Sequence, residues 1–275
     1  MANKFLAILA LLIIATPTTA ETRFDSWAIY YSDKARTRDF EPFQLLVLDS
    51  QTHPNLQALQ ERGKTLLGYL SLGEVAIHHP WFKGVQNDGL VQQENPNWPG
   101  SFSIDIRDKR WTKLIIEQLI PWVLRKGFDG LFLDTLDTAL SSNQPEVRRA
   151  AIDLIKTIRN HYPNTLLMLN RAFEILPEVA GDIDFLLAES IYTDYNFETQ
   201  KHQRKRPAEN QKLIDNLKGL KSSHKLQIMT LDYWPINDNI GVSEIYSEQR
   251  QHGFTPYVST ISLDKLIAEP PRTKQ

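Results

Sequence analysis

Gly127-Phe-Asp-Gly-Leu-Phe-Leu-Asp134 (GFDGLFLD) decides the fold. A helical pattern from Trp111 to Lys126 precedes it, and Gly127 supplies the stop at which a helix ends. The apolar run that follows is short, rich in large side chains, and delivers an acid, Asp134, at its end. Helix, glycine, buried strand and terminal acid form one unit of a parallel sheet covered by helices.

Working outward, the same unit recurs. Candidate strands are Trp27 to Tyr31, Leu45 to Asp49, Thr65 to Leu72, Gly130 to Asp134, Thr165 to Asn170, Phe185 to Glu189, Gln227 to Asp232 and Thr255 to Ser259. Helical stretches lie between them at Trp111 to Lys126, Pro145 to His161, Ala208 to Ser222 and Val242 to His252, with Gly127, Pro163 and Gly253 as stops. Eight strands are the number of a single-domain (β/α)₈ TIM barrel, and a chain of about 255 residues after its first twenty fits that fold. No GxGxxG or GKS/GKT loop follows a strand, so neither a dinucleotide-binding open sheet nor a P-loop is expected.

Residues 1–20 read as a signal peptide: Lys4, an apolar run from Phe5 to Ala15, then the small residues Thr18-Thr19-Ala20. The run is too short to span a bilayer, which takes about 20 apolar residues. The expectation is therefore an exported barrel over residues 21–275, periplasmic or extracellular, with no stable membrane insertion once the signal is removed. The chain contains no cysteine, so its stability comes from an ordinary core. Lys plus Arg number 31 against 33 Asp plus Glu, a balance that argues against a nucleic-acid partner. The run Lys201 to Arg206 (KHQRKR) reads as a solvated loop or helix start.

In a parallel barrel, chemistry sits at the carboxyl ends of the strands. Acids crowd there: Asp49, Glu74 after Gly73, Asp134, Glu189 and Asp232, with Asp137 one turn beyond Asp134. Like charges in one mouth cost stability unless they are paired, hydrogen-bonded or partly protonated. For Asp49 and Asp137 capping of the next helix is an equal reading. Glu189 is a poor cap and leaves an apolar strand directly. Cleavage of a glycosidic bond takes two carboxylates, one a proton donor and one a nucleophile or base. Asp134 and Glu189 are the natural catalytic pair, with Asn170 and Arg171 between them as hydrogen-bond and charge partners; which acid plays which role stays open, as does retention or inversion. Pyranose rings stack on flat aromatic faces, and Tyr30, Tyr31, Tyr69, Trp81, Tyr192, Tyr195, Tyr233, Trp234 and Tyr257 fall near strand ends. For Tyr69, inside a strand, packing between barrel layers is an equal reading; Trp98 and Trp111 read as structural, and Asp105 and Arg107 as a local pair. Tyr30, Tyr31, Asp49, Glu74, Asp137, Asn170, Arg171, Tyr192, Asp232, Trp234 and Tyr257 make up the expected substrate-binding set.

Other chemistries have little footing. His78-His79 beside Glu74 is the single candidate for a metal-dependent hydrolase or deacetylase, without HxH or HExxH, so no metal is expected. Cysteine is absent, no GxSxG elbow occurs, and Ser71 and Ser190 lack an evident base. A carbohydrate-binding barrel without turnover is the main alternative to an enzyme.

The order Trp27-Ala-Ile-Tyr-Tyr31, Tyr69-Leu-Ser-Leu-Gly-Glu74, Asp105-Ile-Arg107 with Trp111, GFDGLFLD, Asn170-Arg171 and Glu189-Ser190 resembles the endo-α-1,4-polygalactosaminidase family, glycoside hydrolase family 114. The resemblance spans nearly the whole chain after residue 20. It implies a barrel that cuts α-1,4-linked galactosamine polymers internally, with Asp134 and Glu189 as the catalytic acids and no cofactor. The extra residues around His78-His79-Pro80 and from Glu94 to Gly100 are expected to reshape the cleft. Electrostatics points independently to an amino-sugar polysaccharide as partner: a mouth lined by Asp49, Glu74, Asp134, Asp137, Glu189 and Asp232 attracts ammonium groups and repels uronic acids.

Overall fold

The computed structural model describes residues 23–196, 198–224 and 226–271. Eight parallel strands form one sheet: β1 (Trp27–Tyr30), β2 (Leu45–Leu48), β3 (Thr65–Ser71), β7 (Gly130–Asp134), β8 (Leu166–Asn170), β9 (Phe185–Glu189), β12 (Gln227–Tyr233) and β13 (Thr255–Ser259), neighbours in that order. The barrel is nearly closed. At the seam the Trp27 indole N–H donates to the Thr255 carbonyl at 3.0 Å, and the Tyr31 amide to the Leu263 carbonyl at 2.8 Å.

Side chains alternate across each strand, so register fixes which residues share the barrel axis. Tyr69 pairs with Phe132 and Ser71 with Asp134; Asn170 pairs with Leu187, and Leu231 with Glu189. Tyr69, Ser71, Phe132, Asp134, Asn170 and Glu189 therefore belong to the inner face, and Leu231 and Tyr233 share it. The outer face meets the helices: on Pro145–His161, Val147, Ala151, Leu154, Ile155 and Ile158 are buried at helical spacing.

The stretch read as one helix from Trp111 to Lys126 is helical over Lys109–Leu114 and Ile120–Arg125, with a π turn, Ile115–Leu119, between them. Pro121 explains the widened turn, because it has no N–H to donate to the preceding turn and its ring crowds the carbonyl there. Gly127 and Gly253 end their helices at φ 108° and 73°, a conformation other residues enter at a cost.

Two additions decorate the end of the barrel where the strands finish. Between β3 and the following helix, β4 (Glu74–Ala76), β5 (Val91–Glu94) and β6 (Ser101–Ile104) make a three-stranded antiparallel sheet around the Phe82–Asn87 helix. After β9, a hairpin pairs β10 (Thr193–Asn196) with β11 (Lys201–Arg204). The latter corrects the reading of KHQRKR as a loop or helix start. Three of its cations have fixed partners: Arg204 meets Glu248 at 2.8 Å, Lys205 reaches the Ser190 carbonyl at 2.7 Å, and Arg206 pairs with Glu209. The proposed signal peptide lies outside the described residues, among which no helix is long and apolar enough to cross a membrane.

Candidate active site

Three adjacent strands, β7, β8 and β9, end in Asp134, Asn170 and Glu189, all on the inner face. The Asn170 side-chain amide donates to Asp134 Oδ1 at 2.8 Å and to Glu189 Oε1 at 3.2 Å, bridging the two acids from a buried position. Each of these strand ends is followed by a residue in the left-handed region: Thr135 at φ 69°, Arg171 and Ala172 at 52° and 47°, and Ser190 at 55°. Such strain on non-glycine residues costs on the order of 1–3 kcal/mol apiece and gathers at functional sites.

The environments of the two acids differ. Burial raises the Asp134 carboxyl, but Asn170, the Thr135 amide at 2.8 Å and the Tyr69 hydroxyl all bond it and favour its ionised form. Burial, and then the charge of Asp134, push Glu189 up to about 7; Arg171 and Asn170 oppose this. The two titrate as a coupled pair in which Asp134 gives up its proton first. Around them stand Tyr31, Tyr69 and Tyr233, each with its phenol raised well above its ordinary value, by burial first and then by the neighbouring carboxylates. Tyr31 and Tyr69 meet edge to face at 5.5 Å.

The rest of the expected set divides. Asp137 ion-pairs with the half-exposed Arg171 at 3.4 Å beside the bridge, and both belong to the mouth. Asp49, at the end of β2, accepts from the Gln51 and Thr52 amides at 2.7 and 2.6 Å, so it holds a turn. Trp234 bonds Asp238 at 2.9 Å and packs on the cluster of Val242, Ile245, Tyr246 and Val258, outside the barrel.

Five expectations are corrected. Glu74 is buried and spent on Asn95 at 2.9 Å and Ser101 at 2.7 Å, tying β4 to the rest of the antiparallel sheet. Asp232 takes the outward parity of β12 and bonds Thr193, the Tyr192 amide and Gln249 between sheet and helix. Tyr30 also turns outward, onto Phe40, its hydroxyl accepting from the Ala35 amide. Tyr257 is fully buried against Trp27 and Phe43 at the seam. Tyr192 leaves the mouth and lies parallel to His252.

Two residues that belong to the site were not in the expected set. Tyr69 shows the inner period with Leu67 and Ser71, which alternation alone reveals; Tyr233 does so through Met229 and Leu231. Asp105 and Arg107 pair locally at 2.7 Å, as the sequence indicates. His78 and His79 stack on one another and His79 meets Trp81 at a tilt, 4.3 Å away; burial and the neighbouring His78 lower the His79 ring to about 4. Among the described residues no cluster of three or more His, Asp or Glu is arranged to hold a metal ion. A hollow of about 230 Å³ lies at the opposite end of the barrel, lined by Phe24, Gln227 and Thr255, far from the carboxylate pair along the strands.

Comparison with known proteins agrees with this architecture. The chain is 27% identical over 264 residues to an uncharacterized protein of Deinococcus radiodurans, covering 89% of this chain and 83% of the relative. In fold it is similar to the glycoside hydrolase domain of PelA from Pseudomonas aeruginosa, with a TM-score of 0.77 at 24% identity over 89% of this chain and 98% of that one. It is similar also to Aspergillus fumigatus Ega3, solved in complex with galactosamine, with a TM-score of 0.64 at 14% identity over 90% of this chain and 96% of that one. The model of glycoside-hydrolase family GH114 matches residues 13–273, nearly the whole length, and the chain belongs to that family.

Proposed function

We propose that this glycoside hydrolase cleaves α-1,4-linked galactosamine-containing polysaccharide with retention of anomeric configuration, Asp134 serving as nucleophile and Glu189 as acid and then base. The observation that carries the proposal is the Asn170 amide nitrogen in contact with both carboxylates. Its two bonds hold one oxygen of each acid within about 6 Å of the other, a bound that admits the roughly 5–5.5 Å carboxyl spacing of a retaining pair.

The bonds to Asp134 favour its ionised form against burial, whereas Glu189 is pushed up to about 7. In the first step Glu189 protonates the glycosidic oxygen while the Asp134 carboxylate bonds to C1 and the leaving sugar departs. In the second, Glu189 removes a proton from water, the water oxygen bonds to C1, and the ester to Asp134 breaks.

Three points support the substrate: the family, the galactosamine bound to a structurally similar enzyme, and the charge of the mouth. Asp134, Glu189 and Asp137 face it with Arg171 as a close cation, a net acidic field that favours ammonium-bearing sugars. The field is weaker than the sequence suggests, because Glu74 and Asp232 are spent elsewhere.

The test compares the parent, Asp134→Asn and Glu189→Gln proteins on deacetylated and acetylated α-1,4-galactosamine oligomers, reading fragments by mass spectrometry and the first-formed anomer by proton NMR. Fragments of retained configuration from the parent alone support the reading. Inverted product removes the double-displacement step; intact oligomers with a folded parent remove the substrate. We also propose that residues 1–20 direct export, placing the enzyme in the periplasm or outside the cell. A mature protein beginning at Glu21 supports that, and an intact Met1 on cytosolic protein overturns it.

A further inference from the structure

We infer that Thr135 is a positioning residue for Asp134: its side-chain hydroxyl, clamped by the turn that follows β3, fixes the left-handed backbone that aims its own amide at the Asp134 carboxylate. The inference rests on the assignment of Asp134 as the ionised partner.

The geometry is closed on every side. Thr135 has φ 69° and ψ 6°, and in that conformation its N–H turns back to Asp134 Oδ1 at 2.8 Å. A β-branched residue with positive φ is an outlier, since its branch crowds its own backbone. Glycine would enter that region without penalty, so the presence of threonine calls for something its side chain does.

That something is visible. Thr135 Oγ1 accepts from the Gly73 amide at 2.8 Å and lies 2.7 Å from both Ser71 Oγ and the Asp134 carbonyl. A hydroxyl has one proton and two lone pairs, so these contacts saturate it. Ser71, donating to Thr135, is held in turn by accepting from the Glu74 amide at 3.2 Å. Gly73 must lack a side chain, because a Cβ there would stand 2.4 Å from the Thr135 carbonyl oxygen. The hydroxyl thus ties the end of β7 to the end of β3.

Asp134 is faced from every side by groups that bear on its charge: Tyr31 from β1, Tyr69 from β3, Glu189 from β9, Tyr233 from β12 and Asp137 from the Leu136–Leu140 helix. None of these is a cation, and the nearby Arg171 cation is paired with Asp137 at 3.4 Å. Fixed donors favour the ionised form of Asp134 against its burial, and the Thr135 amide is one that depends on a single strained torsion.

The decisive variant is Thr135→Gly, which removes the hydroxyl while relieving the strain, so it is expected to fold. Thr135→Ser keeps the hydroxyl. The Asp134 carboxyl is titrated by carbon NMR in the parent and both variants, its resonance assigned with Asp134→Asn, and kcat and KM are measured on galactosamine oligomers. Loss of a donor to the charged form raises the carboxyl pKa. The glycine variant is expected to titrate at higher pH than the parent, to move the acidic limb of its rate profile the same way, and to lose about 10–100-fold in kcat with little change in KM. The serine variant is expected to restore most of both.

A folded glycine variant with the parent's titration overturns the inference, as does a serine variant no better than glycine. The NMR titration needs no substrate, so it reports on Thr135 even if the oligomers are not cut. Asp134→Asn with full activity would instead remove the assignment of Asp134.

Discussion

Gln249 donates to Asp232 at 2.6 Å, and this bond points away from the barrel axis, from β12 toward the Asn239–Gln251 helix. Tyr233, the next residue, points into the mouth. One step along a strand therefore separates a structural acid from a site residue. Asp232 also accepts from Thr193 Oγ1 and from the Tyr192 and Thr193 amides at 2.8–3.0 Å, so it anchors the hairpin after Glu189. Asp232→Ala strands these buried donors and is expected to cost about 2–4 kcal/mol in urea unfolding. The galactosamine-oligomer KM of whatever folds should stay near the parent's, because the side chain does not face substrate.

The same residue sets a pH dependence. Burial lifts Asp232 to about 6 from an ordinary 3.8, against the bonds from Thr193 and Tyr192. Between those values the folded chain holds a proton that the unfolded chain has lost, so stability falls as pH rises through the window and levels above it. Asp232→Asn lacks that proton. Its melting temperature relative to the parent should rise between pH 4 and 6; a constant difference across the window would show that Asp232 is ionised throughout.

Gly130 opens β7 where its neighbours leave no room. A Cβ there would lie 2.3 Å from the Leu166 carbonyl oxygen and 2.7 Å from Leu67. The clash is with backbone, which yields only by parting β7 from β8. Gly130→Ala is expected to destabilise by about 2–3 kcal/mol in denaturant unfolding, from strained packing beside the sheet.

How far the sequence could be read follows from these cases. All eight strands were legible because each is an apolar run closed by a turn signal or acid, and Asp134, Asn170 and Glu189 because they end such runs. Asp232 was misread because β12 extends one residue further, to Tyr233. Taking the inner face as Met229, Leu231 and Tyr233 puts Asp232 outside at once. Glu74 was lost for another reason: the small sheet it supports has strands such as Val-Gln-Gln-Glu, half exposed and without an apolar pattern. Tyr69 lies one pleat below the strand end, and the depth of the mouth is set by register across strands, which no single stretch of sequence encodes.

Arg171 provides a pH test of the mouth. Its cation opposes the upward push on Glu189, so its removal should lift Glu189 further and preserve the proton-bearing acid to higher pH. Arg171→Gln is expected to move the alkaline limb of kcat/KM upward, measured on galactosamine oligomers, while Arg171→Lys keeps the charge and leaves the limb nearly in place. A shift of equal size in both variants would assign the effect to lost geometry rather than charge.

Glu189 gives the sharpest opposition of function and stability. Burial and the charge of Asp134 raise it to about 7 from an ordinary 4.5. The folded state binds its proton more tightly than the unfolded state, so Glu189 supports the fold most at low pH and that support is lost as pH climbs from about 4.5 to 7. Glu189→Gln has no proton to lose and no charge beside Asp134. It is expected to abolish turnover yet unfold at a higher temperature than the parent above pH 7, by about 1–2 kcal/mol once access of the mouth to water is allowed for. The gain should fade as pH is lowered toward 4.5. Scanning calorimetry across that range reads it directly, and a glutamine variant less stable than the parent at pH 8 would mean that Glu189 makes ionised contacts worth more than its repulsion from Asp134.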